Sequence, residues 1–363
     1  MSAEKIWKIS TGKGVTVAVI DRGVDRNNAE LRGQVLTGKD FAPNEAGDQF
    51  TDPTGHGTGM AGIIAGTGRG GGGDGAFGLA PGAKILPVRI PAPDKNKSKQ
   101  AANDQLNRVG SEAIRYAADA GAKVINISQG ATSGSQQLTD AVKYALDKGA
   151  LVFASVGNSG DEGNEVEYPG ATPGVVGVGA IDKNLTKTAE SQYGPQVDMV
   201  APGDKILHAC GNETGLCESS GTSDATALAS AAAALIWSKH PDWTNNQVLR
   251  VMLNTIAPPA ADEKRNDNLG YGAIRPLRAL KTPGDPGPAD VRPIPDLAVA
   301  ESASPSAAPS QAAESSAAPA PAPAPVAQEN NDSNTGLWIG LGIGAAVLIG
   351  AAVAVPVLRS RRS

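Results

Sequence analysis

Residues 14–21 read "GVTVAVID". Nearly every position is apolar and small or β-branched, and the run stops on a carboxylate, Asp21. A strand with one wet face would alternate apolar and polar residues. A continuous run of this kind indicates a strand buried on both faces. Three further runs share the pattern: "AKVINIS" (122–128), "ALVFASVG" (150–157) and "VVGVGAID" (175–182). Between them lie helix-like stretches, "SEAIRYAADA" (111–120) and "LTDAVKYALDKG" (138–149). Buried strands alternating with helices predict an α/β fold with a parallel sheet.

The chain has 363 residues and a net charge of only −5, so no basic footprint argues for nucleic acid. Its 26 prolines are unevenly spread, and that divides the chain. Residues 1–280 read as one globular domain. Residues 281–335 are rich in Pro, Ala and Ser and lack the large apolar residues that offset chain entropy, which predicts a disordered linker. Residues 336–358 include "LWIGLGIGAAVLIGAAVAVPVL", without a charge. At 1.5 Å per residue the quoted run spans about 33 Å, enough for a single transmembrane helix. The basic tail "RSRRS" (359–363) favours a cytoplasmic C-terminus, with the globular domain outside the cell membrane. An external domain needs an export signal. "MSAEKIWKIS" lacks the apolar core of one, so this topology is expected to need a start or leader upstream of residue 1; the alternative, an inverted protein with a cytoplasmic domain, fits neither the arginines nor the cysteine pair.

The two cysteines lie in "CGNETGLC" (210–217). Cys210 and Cys217 read as a local disulfide in an oxidising compartment, with two free thiols as the alternative. A metal site would need more ligands than nearby His208 adds.

Chemistry concentrates in four stretches. Asp21 ends the first strand. "DPTGHGTGMAGIIAG" (52–66) places His56 at the start of a small-residue helix. "VFASVGNSG" (152–160) ends a strand with Asn158 in a glycine-flanked turn. "SSGTSDATALASAAAALI" (219–236) places Ser223 at a helix N-terminus. Each has an ordinary reading: a strand-end turn, a surface histidine, a left-handed Asn, a helix cap. Together they are an acid, an imidazole and a hydroxyl in the order Asp…His…Ser, at the edges where ligands gather in parallel sheets.

These segments resemble the three signatures of the subtilisin-like serine proteases. "GLAPGAKILPVRI" (78–90), "VINISQG" (124–130), "YPGATPGVVGVGAID" (168–182) and "YGPQVDMVAPG" (193–203) resemble the stretches that join them. The likeness covers about residues 5–280. The linker, span and basic tail resemble the membrane-anchored actinobacterial branch, whose best-known members are the mycosins of type VII secretion. The resemblance implies a subtilisin-like three-layer α/β fold with a mostly parallel central sheet, and hydrolysis of protein or peptide substrates through Asp21, His56 and Ser223, without a cofactor. Asn158 would serve the oxyanion hole, and Ser128, Gln129 and Gly130 would wall the substrate cleft. Type VII secretion components are the partners it implies.

The sequence departs from the family pattern in several places. Arg22 stands where Thr or Ser is usual, Gly59-Met60 replace His-Val, and Asp224 replaces Met. Because neighbours on a strand point to opposite faces, Asp21 still faces His56. Asp224 suits the positive end of a helix and should not share the direction of Ser223. Gln129 replaces a common leucine, predicting a more polar outer pocket. The glycine-rich stretch 66–82 stands where relatives carry a calcium loop. It offers only Asp74 as a carboxylate, so no metal is expected. No inhibitory propeptide is visible. Two other functions compete: a catalytically silent scaffold or peptide-binding subunit of a secretion system, and an esterase. The second lacks a Gly-x-Ser-x-Gly elbow around Ser223.

Overall fold

The computed structural model describes residues 2–70, 74–92, 98–210, 215–260 and 262–303. Seven strands make one sheet: β1 (Thr16–Asp21), β2 (Lys39–Asp40), β3 (Lys84–Arg89), β4 (Val124–Ile127), β5 (Leu151–Ser155), β6 (Val176–Ile181) and β7 (Met199–Pro202), in the order β2-β3-β1-β4-β5-β6-β7. Every neighbouring pair is parallel. The four apolar runs are therefore β1, β4, β5 and β6, and all lie inside the sheet, as continuous burial requires.

Alternate side chains of these strands feed two cores. Val17, Val19, Ile85, Val124 and Phe153 pack beneath α2 (His56–Ala65) and α5 (Thr222–Lys239). Ala18, Ile20, Val88, Ile125 and Val152 pack beneath α3 (Lys99–Asp119) and α4 (Gln136–Asp147). The result is the three-layer α/β arrangement. Because α5 runs through the densest part of the first core, it is buried on nearly every side. Only small residues allow neighbouring strands so close, hence its alanine run.

Two features were not legible as elements. A short hairpin, β8 (Ile206–Ala209) and β9 (Leu216–Ser219), leads directly into α5, and the Cys210–Cys217 disulfide closes it. The second is the stretch beyond α7 (Pro276–Lys281). Composition assigns residues from 281 to a linker, yet 282–303 pack on the domain. From α6 (Asn245–Thr255), Arg250 donates to the carbonyls of Pro286 and Val291, and Gln247 Nε2 donates to Gly287 O at 2.9 Å. Ile294 enters the core at 4% exposure. Asp296, opening α8 (Asp296–Ala303), accepts from Gly174 N at 2.6 Å. Side chains of the body bind the strap's carbonyls, so it needs no apolar periodicity of its own.

Among the described residues no helix is long and apolar enough to cross a membrane. The apolar segment 336–358, the tail 359–363 and linker residues 304–335 lie outside the described residues.

Candidate active site

Asp21 is fully buried at the carboxyl end of β1. Its carboxylate faces His56, whose Nδ1 stands 2.8 Å from Oδ2 and 3.0 Å from Oδ1. It also accepts from the Arg22 backbone N–H at 2.8 Å and from Gln129 Nε2 at 3.3 Å. His56 is the first residue of α2, so its ring stands at a helix end rather than in a flexible loop. Asp52 ties that end down, accepting from Gly55 N at 3.0 Å and from Thr58 N and Oγ1, both at 2.8 Å. Gly57 lets the helix reach the strand, since a Cβ there would lie 2.2 Å from Gly23 O.

With Nδ1 donating to Asp21, His56 Nε2 keeps its lone pair. Burial pulls the His56 pKa down. The charge of Asp21 and its hydrogen bond, then Asp224 and Asp52, push it up, and the net effect is upward.

The helix-cap reading of Ser223 fails on position. Gly221 is the N-cap of α5 and Thr222 the first helical residue, which leaves Ser223 inside the first turn, half-buried. The orphan amide of Thr222 is satisfied instead by Asn158. Asn158 Oδ1 accepts from Thr222 N at 2.9 Å and from Thr222 Oγ1 at 3.0 Å. Its oxygen is thereby committed, and its Nδ2 is left as a donor at the exposed end of β5. Gly221 takes φ +151°, and a Cβ on it would stand 3.3 Å from Asn158 Nδ2. Ser128 Oγ donates to Ser223 O at 3.4 Å, which pins the helix start to the end of β4. Among the described contacts, no hydrogen bond joins Ser223 Oγ to His56; such bonds often tighten only with substrate.

Arg22 and Gln129 form a link that sequence reading missed. Arg22 points away from His56, as strand alternation requires. Its guanidinium donates to Ile90 O at 3.2 Å, to Pro91 O, and to Gln129 Oε1 at 2.8 Å. Gln129 thus bridges Arg22 and Asp21. It does line a cavity of about 170 Å³ with Arg22, Pro91, Leu106 and Val109. Its amide, however, is held by the acid and the arginine, so the expected polar lining is committed to orienting Asp21. Gly130 follows along the same edge.

Asp224 is buried, and both its oxygens accept from Ser219 Oγ, at 2.8 and 2.9 Å. Burial raises its pKa, against the Ser219 bond and the charges of His208 and His56. His208, on β8, is buried beside α2 with Nδ1 2.8 Å from Ala209 O. Neither placement was legible, because both depend on the hairpin. Among the described residues no cluster of His, Cys, Asp and Glu could hold a metal ion. Where relatives carry the calcium loop, Glu30 accepts from Gly70 N at 2.9 Å and Ala76 N at 3.0 Å.

An acid–imidazole pair, a hydroxyl in a helix's first turn and a side-chain amide beside it define the class of serine hydrolases. Comparison with known proteins narrows the class. The subtilase family (peptidase S8) matches residues 12–272. Thermitase of Thermoactinomyces vulgaris is 36% identical over 66% of this chain and 80% of its own length. Subtilisin BL of Lederbergia lenta is 35% identical over 68% and 84%. Among solved structures, the MycP3 protease from the type VII (ESX-3) secretion system shares 32% identity at a TM-score of 0.65, covering 77% of this chain and 86% of its own. MycP1 from Mycobacterium smegmatis shares 29% at 0.66, covering 80% and 85%. The chain belongs to the subtilase family, and it is a subtilisin-like serine endopeptidase with mycosin-like structural neighbours.

Proposed function

We propose that Ser223 is the nucleophile of a membrane-tethered, extracytoplasmic endopeptidase. The supporting observation is the Asp21–His56 contact at 2.8 Å, made at the edge of the sheet where α5 begins. His56 Nε2 takes the Ser223 proton as Oγ attacks a peptide carbonyl, then delivers it to the leaving amine. Asp21 holds the tautomer and stabilises the imidazolium. The oxyanion is held by Asn158 Nδ2 and the backbone N–H of Ser223, where the helix dipole favours negative charge. Water repeats the cycle on the acyl-enzyme. The substrate lies extended along Ser128, Gln129 and Gly130, where backbone pairing supplies affinity.

Residues 336–358 tether the domain to the cell membrane, with 304–335 as spacer and 359–363 in the cytoplasm. An external disulfide hairpin agrees with this side of the membrane. The mycosin-like neighbours support a place beside type VII secretion components. A fluorophosphonate probe tests the chemistry: the adduct should map to Ser223 by mass spectrometry. An unlabelled, folded protein would favour the silent-scaffold reading.

A further inference from the structure

Two departures from the family pattern touch each other beside the acid. Arg22 stands where Thr or Ser is usual and Gln129 where leucine is common. Their side chains meet at 2.8 Å, although 107 positions separate them in sequence. In the sheet β1 lies between β3 and β4. From the end of β1 the Arg22 side chain reaches past both neighbours: to the carbonyls of Ile90 and Pro91 beyond β3, and to the Gln129 carboxamide beyond β4. It is 6% exposed. A guanidinium carries donors only. Burial pulls the Arg22 pKa down, while the charges of Asp21, then Glu45 and Asp52, oppose it.

A carboxamide has two ends of opposite sense. Gln129 Oε1 accepts from Arg22, so Nε2 is the end turned to Asp21, where it donates to Oδ1 at 3.3 Å. Turned over, the amide would set its N–H groups against a guanidinium and its oxygen against a carboxylate, two repulsive contacts in a buried place. Arg22 therefore decides which end of Gln129 the acid meets. Its backbone N–H also donates to the same oxygen, at 2.8 Å. Asp21 Oδ1 is thus held from two sides, and the shorter imidazole contact, 2.8 Å, falls on Oδ2. Ser or Thr at position 22 is too short to fill this role and would leave the carboxamide free to turn. Leucine at 129 has no amide to turn. Each departure makes sense only with the other.

We propose that Arg22 is a positioning residue of the triad: acting through Gln129, whose carboxamide it holds as a donor, it aligns the Asp21 carboxylate for His56. The inference rests on Asp21, His56 and Ser223 acting as stated above. Gln129 also stands on the edge where the substrate is placed, so the alignment of the acid is tied to that edge as well as to β1. Loss of one hydrogen bond to a charged group of this kind lowers the rate about 10- to 100-fold.

The test uses the full-length protein in detergent and a small dialkyl fluorophosphonate, which carries no peptide and so reads the triad apart from the cleft. Arg22→Thr should label at least about tenfold more slowly, and in peptide hydrolysis it should lose kcat with KM within about twofold of the parent. Arg22→Thr combined with Gln129→Leu restores both residue types of the relatives and should label faster than Arg22→Thr alone. A merely structural loss would accumulate instead. Gln129→Glu carries the test even where Arg22→Thr fails to fold. It keeps an acceptor for Arg22 and replaces only the donor to Asp21, so it should melt like the parent yet label at least about tenfold more slowly. Parent-like labelling by a folded Gln129→Glu protein, or a double variant no faster than Arg22→Thr, would overturn the proposal. An unlabelled parent would instead sink the Ser223 reading, and this proposal with it.

Discussion

The imidazole of His208 occupies the space that a side chain on Gly59 would take: a Cβ there would stand 2.9 Å from both Cε1 and Nδ1. Sequence relatives commonly place a histidine at this helix position. Here the ring comes instead from β8, and the helix position is bare. His208 cannot easily retreat, since its Nδ1 is 2.8 Å from Ala209 O. Gly59→Ala should therefore destabilise the fold by about 1–3 kcal/mol from overpacking, reduced by the roughly 1 kcal/mol that alanine adds to a helix. Adding His208→Ala should relieve the clash, so the double variant should lose less than the sum of the singles in urea unfolding. Additivity within about 0.5 kcal/mol would show that the two positions do not compete for space.

Asp224 should raise the lower pH limit of activity, after the larger effect of Asp21. It lies buried next to the nucleophile position and is among the charges that raise the His56 pKa. With neutral His56 as the base proposed above, a raised pKa should place the acid limb at higher pH. Asp224→Asn removes an anion that favours the imidazolium. The acid limb of kcat/KM should move to lower pH, by about half a unit for a screened charge at this range. Ser219→Ala should act in the same direction. It removes the hydroxyl that stabilises the Asp224 charge, so Asp224 protonates more readily. A limb that stays put or moves upward at low salt contradicts this role.

Residues 282–303 should behave as part of the folded body. A chain ending at Lys281 loses the buried side chain of Ile294, about 1.5–3 kcal/mol of burial, as well as the carbonyls bound by Arg250 and Gln247. Its melting temperature should fall by about 5 °C or more relative to a chain ending at Ala303. Differential scanning calorimetry of the two fragments decides the matter. Coincident melts would make the strap a bystander.

The interior strands were legible because burial on both faces leaves continuous apolar runs, and β1, β4, β5 and β6 all carry one. The Asp21, His56 and Ser223 segments were legible for a related reason. Each sits where a strand or helix begins or ends, and short glycine-rich signatures mark those points. What escaped notice depends on long-range approach. Arg22 reaches Gln129 across the strand ends, and His208 reaches Gly59 from a hairpin. That hairpin mixes an exposed Leu207 with a buried His208, which no periodicity announces. The strap was misassigned because composition measures apolar content. It is held mainly by arginine, glutamine and threonine side chains bonded to its carbonyls.

Whether Ser223 attacks the peptide bond is tested most directly by steady-state hydrolysis of a peptide library, comparing the purified chain with its Ser223→Ala variant. The variant should fold and melt like the parent, because Ser223 is not the cap of α5 and among the described residues only its backbone carbonyl is seen to accept a hydrogen bond. Its kcat should fall by about five to six orders of magnitude, as when a triad nucleophile is removed. Comparable turnover by a folded Ser223→Ala protein would contradict the assignment of nucleophile, base and acid together.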